Sequence, residues 1–260
     1  MAGADLGCSG LFEYQILFDA RGARYSRANR LYPEARSQEA AAMLRHLDLS
    51  ARSRWLDVFT GGGYLSERAL ALGLPAARFV CDGSIPFLRS SEHDRPACLA
   101  KGEALPFTDA AFDAAACLAA LHHSNDPESV CRELLRVTAP GGRAALGDAA
   151  ADSRAARFLN SFVDRHTESG HRGSFYSLED LSGFFQAAGG RDLRCQRTDL
   201  DWVLPSALQA ASFCRDLFGL LPTASDGEIL EALRVELGAG PAPGLFRIPW
   251  TMHYVSARRA

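Results

Sequence analysis

The stretch Leu56-Asp57-Val58-Phe59-Thr60-Gly61-Gly62-Gly63-Tyr64 decides the fold class of this 260-residue chain. A short apolar run over residues 54–59 leads into the glycines, and apolar residues at helical spacing follow over residues 64–72. The order strand, glycine turn, helix is that of the first unit of a parallel α/β fold. Because glycine has no Cβ, the backbone of the turn can approach a ligand closely. Asp82 ends the next apolar run, about 20 residues later, where a carboxylate holds a ribose. These features alone fit a binding site for a dinucleotide or for another nucleoside ligand.

Strands and helices continue to alternate along the chain, which favours a parallel sheet with helices on both faces. The sequence therefore predicts an α/β fold: a Rossmann-like, doubly wound, mostly parallel sheet of seven strands, with a helical N-terminal cap and a helical insert before the last strand. Ligands of such sheets bind beyond the carboxyl ends of the strands. The predicted strands cover residues 54–59, 77–81, 97–100, 112–121, 143–146, 193–203 and 245–257.

The chain divides by pattern into three parts that together form effectively one domain. Residues 1–50 are the helical cap, with Pro33 starting its second helix. Residues 51–150 form the ligand-binding core, and residues 151–260 complete the sheet and carry the helical insert at about 206–238. Ser177 is the N-cap of a further helix that runs to Ala188.

Composition excludes several classes of protein. The chain has 28 Lys and Arg against 31 Asp and Glu, a formal charge of −3, which argues against a nucleic-acid partner that needs a broad basic face. The arginines of 191–197 and 258–259 fit solvent-facing strand positions. No apolar run is long enough for a membrane span, and residues 1–10 do not resemble a signal peptide, so we expect a cytoplasmic protein without a membrane partner.

Cysteine and histidine spacing predicts no metal site. The seven cysteines are scattered singly without a C-x-x-C pair, and the seven histidines show no H-x-x-x-H spacing. His122 and His123 are the one adjacent pair.

The middle of the chain carries a series of motifs in order: Ala100-Lys-Gly-Glu-Ala-Leu-Pro-Phe107, Phe112-Asp113, Leu121-His-His123, Asp126-Pro127, Arg132-Glu-Leu-Leu-Arg-Val137 and Pro140-Gly-Gly-Arg143. Together with the glycine turn they resemble the class I S-adenosylmethionine-dependent methyltransferases, most closely the branch of quinone C-methyltransferases and small-molecule methyltransferases. The resemblance covers residues 54–148, and extends more loosely over 175–177 and 187–189.

The resemblance implies S-adenosylmethionine as the cofactor. Asp57 would anchor the glycine loop and orient the cofactor's amino group, and Asp82 would accept both ribose hydroxyls. Leu105 would pack on the adenine or simply in the core. The implied cofactor-binding residues are Tyr25, Asp57, Phe59, Thr60, Gly61, Gly63, Asp82, Gly83, Gly102, Glu103, Ala104 and Leu118.

Two positions depart from the family's pattern. Phe59 stands where the family has Gly or Ala, and a ring there reshapes the methionine pocket. Lys101 stands where the family has an Asp that accepts from the adenine amino group, and an ammonium has no acceptor. The adenine is then read by the amide of Gly102, or by Glu103, or cofactor affinity is reduced.

Candidate catalytic residues are His122, His123 and Tyr176, since a hydroxyl or acidic carbon needs a base before methylation. The two histidines are equally open to a structural role, and Tyr176 to core packing. His166 and His171 are expected as exposed loop residues. Tyr14 and Tyr64 are candidates for the pocket lining, while the aromatic residues Phe18, Phe213, Phe218 and Trp250 form either an apolar wall or plain core.

The expected function is methyl transfer to a small-molecule acceptor, in secondary metabolism. Phe59 and Lys101 keep open another S-adenosylmethionine reaction, an intramolecular cyclase or lyase that releases methylthioadenosine, and a non-catalytic binding module. The acceptor molecule, the atom methylated and the oligomeric state stay open.

Overall fold

The computed structural model describes residues 21–75, 77, 79–89, 96–171 and 173–260. The predicted first part of the cap, with Tyr14 and Phe18, lies outside these described residues. Nothing in the described part of the chain is a helix both long enough and apolar enough to cross a membrane.

The helices and strands alternate as the sequence predicts. The helices are α1 (Gly22–Leu31), α2 (Ser37–Arg45), α3 (Tyr64–Ala71), α4 (Ile85–Arg89), α5 (Pro127–Val137), α6 (Arg154–Phe158), α7 (Leu178–Ala187), α8 (Ala207–Leu217) and α9 (Asp226–Ala232). The strands are β1 (Trp55–Val58), β2 (Phe79–Asp82), β3 (Ala97–Leu99), β4 (Phe112–Leu118), β5 (Thr138–Ala149), β6 (Arg191–Leu204), β7 (Gly240–Ala242) and β8 (Leu245–Arg258). One π-helical turn, Leu159–Val163, continues α6, and another, Leu233–Leu237, continues α9.

The strands form one mixed sheet in the order β3-β2-β1-β4-β5-β8-β6. The first five strands of this order are parallel, and β8 runs antiparallel between β5 and β6. These are the seven strands predicted, and the short β7 adds an eighth by pairing with the start of β8. The insert α8–α9 lies between β6 and β8, so two adjacent antiparallel strands are joined by helices.

Alternating side chains of β4 pack on opposite faces of the sheet. Ala114 and Ala116 belong to the apolar cluster that contains α2 and α3 residues, whereas Ala115 and Cys117 belong to the cluster that contains α5 and α7 residues. Small side chains on a strand buried on both faces allow helices to pack closely on each side, which is the doubly wound arrangement.

Local capping fixes the helices around the sheet. Asp126 accepts from the Ser129 amide at the start of α5, and Ser177 forms a capping box with Asp180 at the start of α7, the helix whose N-cap the sequence predicts. The prediction that Pro33 starts the second cap helix is wrong, because α2 begins at Ser37. Residues 33–36 form a turn instead, held by long-range contacts such as the Val203 amide donating to the Ala35 carbonyl at 2.9 Å.

The described part of the cap is joined to the insert above the carboxyl ends of the parallel strands. The guanidinium of Arg27 donates to Asp216 on α8, and the rings of Tyr32 and Phe213 meet edge to face at 5.9 Å. These contacts place α1 and α8 as two sides of one cover over the sheet edge where a ligand is expected.

Candidate functional site

A cavity lies between this cover and the sheet edge, and the space within its outline, open solvent included, is about 840 Å³. Its wall draws on the ends of β1, β2, β4 and β5 and on the cap and insert. The lining residues are Arg21, Tyr25, Arg36, Phe59, Gly61, Asp82, Phe87, Leu118, Ala119, Ala120, His122, His123, Asp148, Ala149, Leu159, His171, Trp202, Leu217, Phe218, Trp250 and Met252.

Asp82 and the glycine turn form one end of the cavity. The buried Asp82 carboxylate accepts from the Gly61 amide at 3.1 Å and from the Ser84 amide at 2.9 Å. Thr60 Oγ1 donates to Asp57 at 2.7 Å, which anchors the turn behind the wall. Gly61 has φ +54°, and a Cβ there would stand 3.0 Å from the Tyr25 ring. The turn therefore requires glycine both for its backbone conformation and for the close approach of Tyr25.

Phe59 closes the neighbouring side of this end. Its backbone is left-handed, with φ +55°, and its ring covers Gly102 so closely that a Cβ on Gly102 would stand 2.4 Å from it. Gly102, Glu103 and Ala104 are consequently not on the cavity wall, and Glu103 accepts from the Ser124 hydroxyl. Leu105 packs in the core. The structure thus brings together Tyr25, Phe59, Gly61, Asp82 and Leu118 among the predicted cofactor residues, while Asp57, Thr60, Gly63 and Gly83 lie off the wall.

A second cavity adjoins the other side of the glycine turn and shares Gly61 with the first. Asn29, Tyr64 and Arg68 line it, and each has a buried polar atom without a hydrogen-bond partner among the described residues: Asn29 Oδ1, the Tyr64 hydroxyl and Arg68 Nε. Burial raises the pKa of Tyr64, so its hydroxyl stays protonated. Unpaired buried donors and acceptors are costly, and each of these three atoms exposes less than 1 Å².

The third group on the wall is a cluster of imidazoles, formed by His122, His123 and His171, whose ring centroids lie 4.0–5.3 Å apart. Asp148 at the end of β5 lies 2.8 Å from His122 Nδ1 and also accepts from the His122 amide. A carboxylate at this distance fixes the proton on Nδ1 and leaves Nε2 as the basic nitrogen. Burial lowers the pKa of His171 to about 3 and that of His123 well below its usual range, so both rings are neutral at pH 7.

The expectation that His171 is an exposed loop residue is wrong, since only 6% of it is accessible. Its Nδ1 lies 3.3 Å from Asn160 Oδ1, and its ring packs near His122. Sequence spacing could not show this, because the fold brings His171 to the pair from a distant segment.

Tyr176, the remaining catalytic candidate, is not on the cavity wall. Its carbonyl lies 3.1 Å from His253 Nδ1, and its ring meets Phe184 edge to face at 5.3 Å. The side chain packs on Phe184 and hydrogen-bonds Ser174, and its catalytic role stays a prediction.

An aromatic surface lies at the cavity end formed by β6, β8 and the insert. Trp202 and Trp250 stack with centroids 4.0 Å apart, and Phe218 stacks near both. Phe218 and Trp250 were candidates for such a wall, whereas Trp202 was not recognised from the sequence. Phe213 lies off the lining and packs edge to face on Trp202.

A buried ion pair, also missed from the sequence, connects this surface to the cap. Arg36 is paired with Glu39, donates to the Tyr25 hydroxyl at 2.8 Å, and lies 4.8 Å from the Tyr64 ring centroid. Trp202 Nε1 donates to the same Glu39 carboxylate at 2.8 Å. Charged residues at the start of a helix usually face solvent, so no local signal marks this pair as buried.

The chain is similar in sequence to known methyltransferases. A family profile described as methyltransferase domain matches residues 56–146. Demethylmenaquinone methyltransferase of Corynebacterium urealyticum is 33% identical over 138 residues, 52% of this chain and 59% of that protein. The 27-O-demethylrifamycin SV methyltransferase of Amycolatopsis mediterranei is 52% identical over 44 residues, 17% of this chain and 16% of that protein. The matched region thus spans less than two thirds of each relative.

Solved structures share the fold at low sequence identity. A chain from the complex of the Haloferax volcanii Trm112 methyltransferase activator with a methyltransferase gives a TM-score of 0.64 at 18% identity, covering 95% of this chain and 97% of that chain. An S-adenosylmethionine-dependent methyltransferase from Thermotoga maritima gives 0.62 at 14% identity, with 95% and 100% covered. These likenesses confirm the Rossmann-like fold.

Proposed function

We propose that this chain, whose residues 56–146 carry a methyltransferase domain of the class I S-adenosylmethionine-dependent type, transfers a methyl group from that cofactor to a small-molecule acceptor. One observation carries the proposal. A single cavity runs from the Asp82 carboxylate and the glycine turn to the three histidines and the aromatic surface. Direct transfer of a group between two bound molecules requires that both lie in the same cavity. This continuous wall offers an end for the cofactor and an end for the acceptor.

The residues at the glycine turn fit the cofactor. Asp82 is buried and faces the cavity, so its carboxylate would hold the ribose hydroxyls. Asn29, Tyr64 and Arg68 line the second cavity beside Gly61, and side chains of these types offer acceptors for an ammonium and donors for a carboxylate. When bound, the cofactor supplies an activated methyl group on a positively charged sulfur.

Phe59 changes where the adenine is held. Because its ring covers Gly102 and residues 102–104 are absent from the cavity wall, we propose that the nucleobase packs on Phe59 itself and that Gly102 acts only if the ring moves. An aromatic face is a suitable surface for a planar base.

The acceptor end suits an apolar molecule with a planar ring and a polar reacting group. Trp202, Trp250 and Phe218 offer stacking surface, and the histidine cluster is the polar part of the wall that would face a hydroxyl or acidic carbon. The cover over the cavity would limit the access of water to the reacting atoms. The names of the quinone and rifamycin relatives support a ring-bearing acceptor, and with the latter an acceptor from secondary metabolism.

The test is incubation of the purified protein with methyl-labelled S-adenosylmethionine, with and without a panel of quinols and phenolic polyketides. We expect S-adenosylhomocysteine and a labelled acceptor in equal amounts, formed only when an acceptor is present. Methylthioadenosine formed without an acceptor would instead identify an intramolecular reaction. If calorimetry detects no binding of S-adenosylhomocysteine, the chain shares the fold but does not carry out the proposed reaction.

A further inference from the structure

We propose that His122, His123 and His171 form a binding site for one divalent transition-metal ion, with an open coordination position facing the cavity. Each ring offers a nitrogen, and these three atoms all lie within 4.8 Å of one another. Nitrogens that share one tetrahedral zinc ion stand about 3.4 Å apart, since each lies about 2.0–2.1 Å from the metal. Small side-chain rotations would close that difference, which leaves the backbone in place.

The surroundings of the rings are those of metal ligands. His122 Nδ1 faces Asp148 at 2.8 Å, and His171 Nδ1 faces Asn160 Oδ1 at 3.3 Å. In metal sites a ligating histidine donates its other ring N–H to a carboxylate or carbonyl, which fixes the tautomer and aims the free nitrogen. Two of the three rings here have that arrangement built in, with the unprotonated Nε2 left for the ion.

The chemistry of the donor set selects the class of ion. Imidazole suits Zn²⁺, Co²⁺, Ni²⁺, Cu²⁺ and Fe²⁺, whereas Mg²⁺ and Ca²⁺ prefer oxygen ligands. Three protein ligands with the fourth position open is the pattern of catalytic rather than structural zinc. His122 and His171 are buried, and the cluster lines the cavity, so the open position would take water or an acceptor oxygen.

Arg21 lies on the same wall, and its positive charge would repel a metal ion bound by the histidines. Its guanidinium, however, donates to Ser169 Oγ at 3.3 Å and to the Gly170 carbonyl at 3.1 Å. A metal-bound oxyanion would be attracted to this arginine, so the pair of cations favours an acceptor that binds the metal through an ionisable oxygen. This role for the metal rests on the proposed function, while metal binding itself does not.

The experiment is titration of the chelator-treated full chain with Co²⁺ and Zn²⁺, without cofactor or acceptor. We expect one Co²⁺ per chain, a visible d–d absorption of tetrahedral type, and its displacement by Zn²⁺. His171→Gln and His123→Gln should each weaken Co²⁺ binding by more than about tenfold and remove the absorption, and Asp148→Asn should weaken it about 10–100-fold by loss of the partner of His122.

His166→Gln is the matched control, because His166 lies on the same segment outside the cluster and should bind Co²⁺ as the wild type does. Circular dichroism and binding of S-adenosylhomocysteine are measured on every variant to separate ligand loss from unfolding. No stoichiometric Co²⁺ binding, or binding that the His171 and His123 variants retain, would overturn the metal site while leaving the proposed cofactor site standing. Loss of S-adenosylhomocysteine binding in the wild type would count against the proposed function alone.

Discussion

Replacing Arg36 with Met should lower the free energy of unfolding more than an exposed substitution of similar size does. Glu39 is completely buried and Arg36 is 3% exposed, so Arg36→Met leaves a buried carboxylate whose one remaining side-chain donor among the described residues is Trp202. Removal of one partner from a buried ion pair costs about 3–5 kcal/mol of unfolding free energy, because the remaining charge is left uncompensated. Replacing both partners, in Arg36→Met with Glu39→Leu, should recover part of that loss, because the uncompensated charge is removed while Trp202 Nε1 loses its acceptor.

The assay is urea unfolding followed by tryptophan fluorescence, with the four members of the cycle compared at constant m-value. Arg234→Met is the matched control, since it breaks an arginine–glutamate pair of the same helical spacing that is largely exposed, and its midpoint should not move measurably. A loss below about 1 kcal/mol for Arg36→Met, or no recovery in the double variant, would refute the view that this pair is a buried, mutually dependent unit.

Three further outcomes follow from single residues. Asp82→Asn should weaken S-adenosylhomocysteine binding about 10–100-fold in calorimetry through loss of charge-assisted hydrogen bonds, whereas the exposed carboxylate change Glu179→Gln should not, and equal affinities would contradict the ribose assignment. Phe59→Gly relieves about 1–3 kcal/mol of left-handed backbone strain but loses about 3–5 kcal/mol of ring packing, so thermal unfolding should show a net loss centred on about 2 kcal/mol, and a stabilised variant would contradict this balance. Burial lowers the pKa of His46, so the unfolded chain binds an extra proton as pH falls below about 6.5. Below that pH the unfolding free energy of the wild type should fall by up to about 1.4 kcal/mol per pH unit more than that of His46→Gln. Parallel plots of unfolding free energy against pH for the two proteins would exclude this contribution.

The parts of the fold that the sequence predicts well are those encoded by neighbouring residues. The glycine turn, the carboxylate at the end of β2 and the caps of α5 and α7 all depend on contacts within a few positions. The bounds of α2 and the true length of β5, Thr138–Ala149 rather than 143–146, depend on pairing with distant strands, so local patterns placed them poorly.

The candidate site divides in the same way. Asp82, Gly61 and the pair His122–His123 could be singled out because a motif holds them together in sequence. Trp202, Arg36 and the buried position of His171 could not, since each is brought to the cavity by the sheet order and the cap. The prediction of no metal site rests on spacing along the chain and stays a prediction, whereas the cluster joins histidines from two separate segments.

In the proposed function, one cavity holds the cofactor's nucleoside at Asp82 and directs its reacting end toward the histidines. A crystal structure of the chain with S-adenosylhomocysteine tests it most directly. We predict both ribose hydroxyls within hydrogen-bonding distance of the Asp82 carboxylate and the sulfur directed along the cavity toward His122. A nucleoside bound elsewhere, or a crevice at the glycine turn filled by the Phe59 ring with no ligand beside it, would contradict the account.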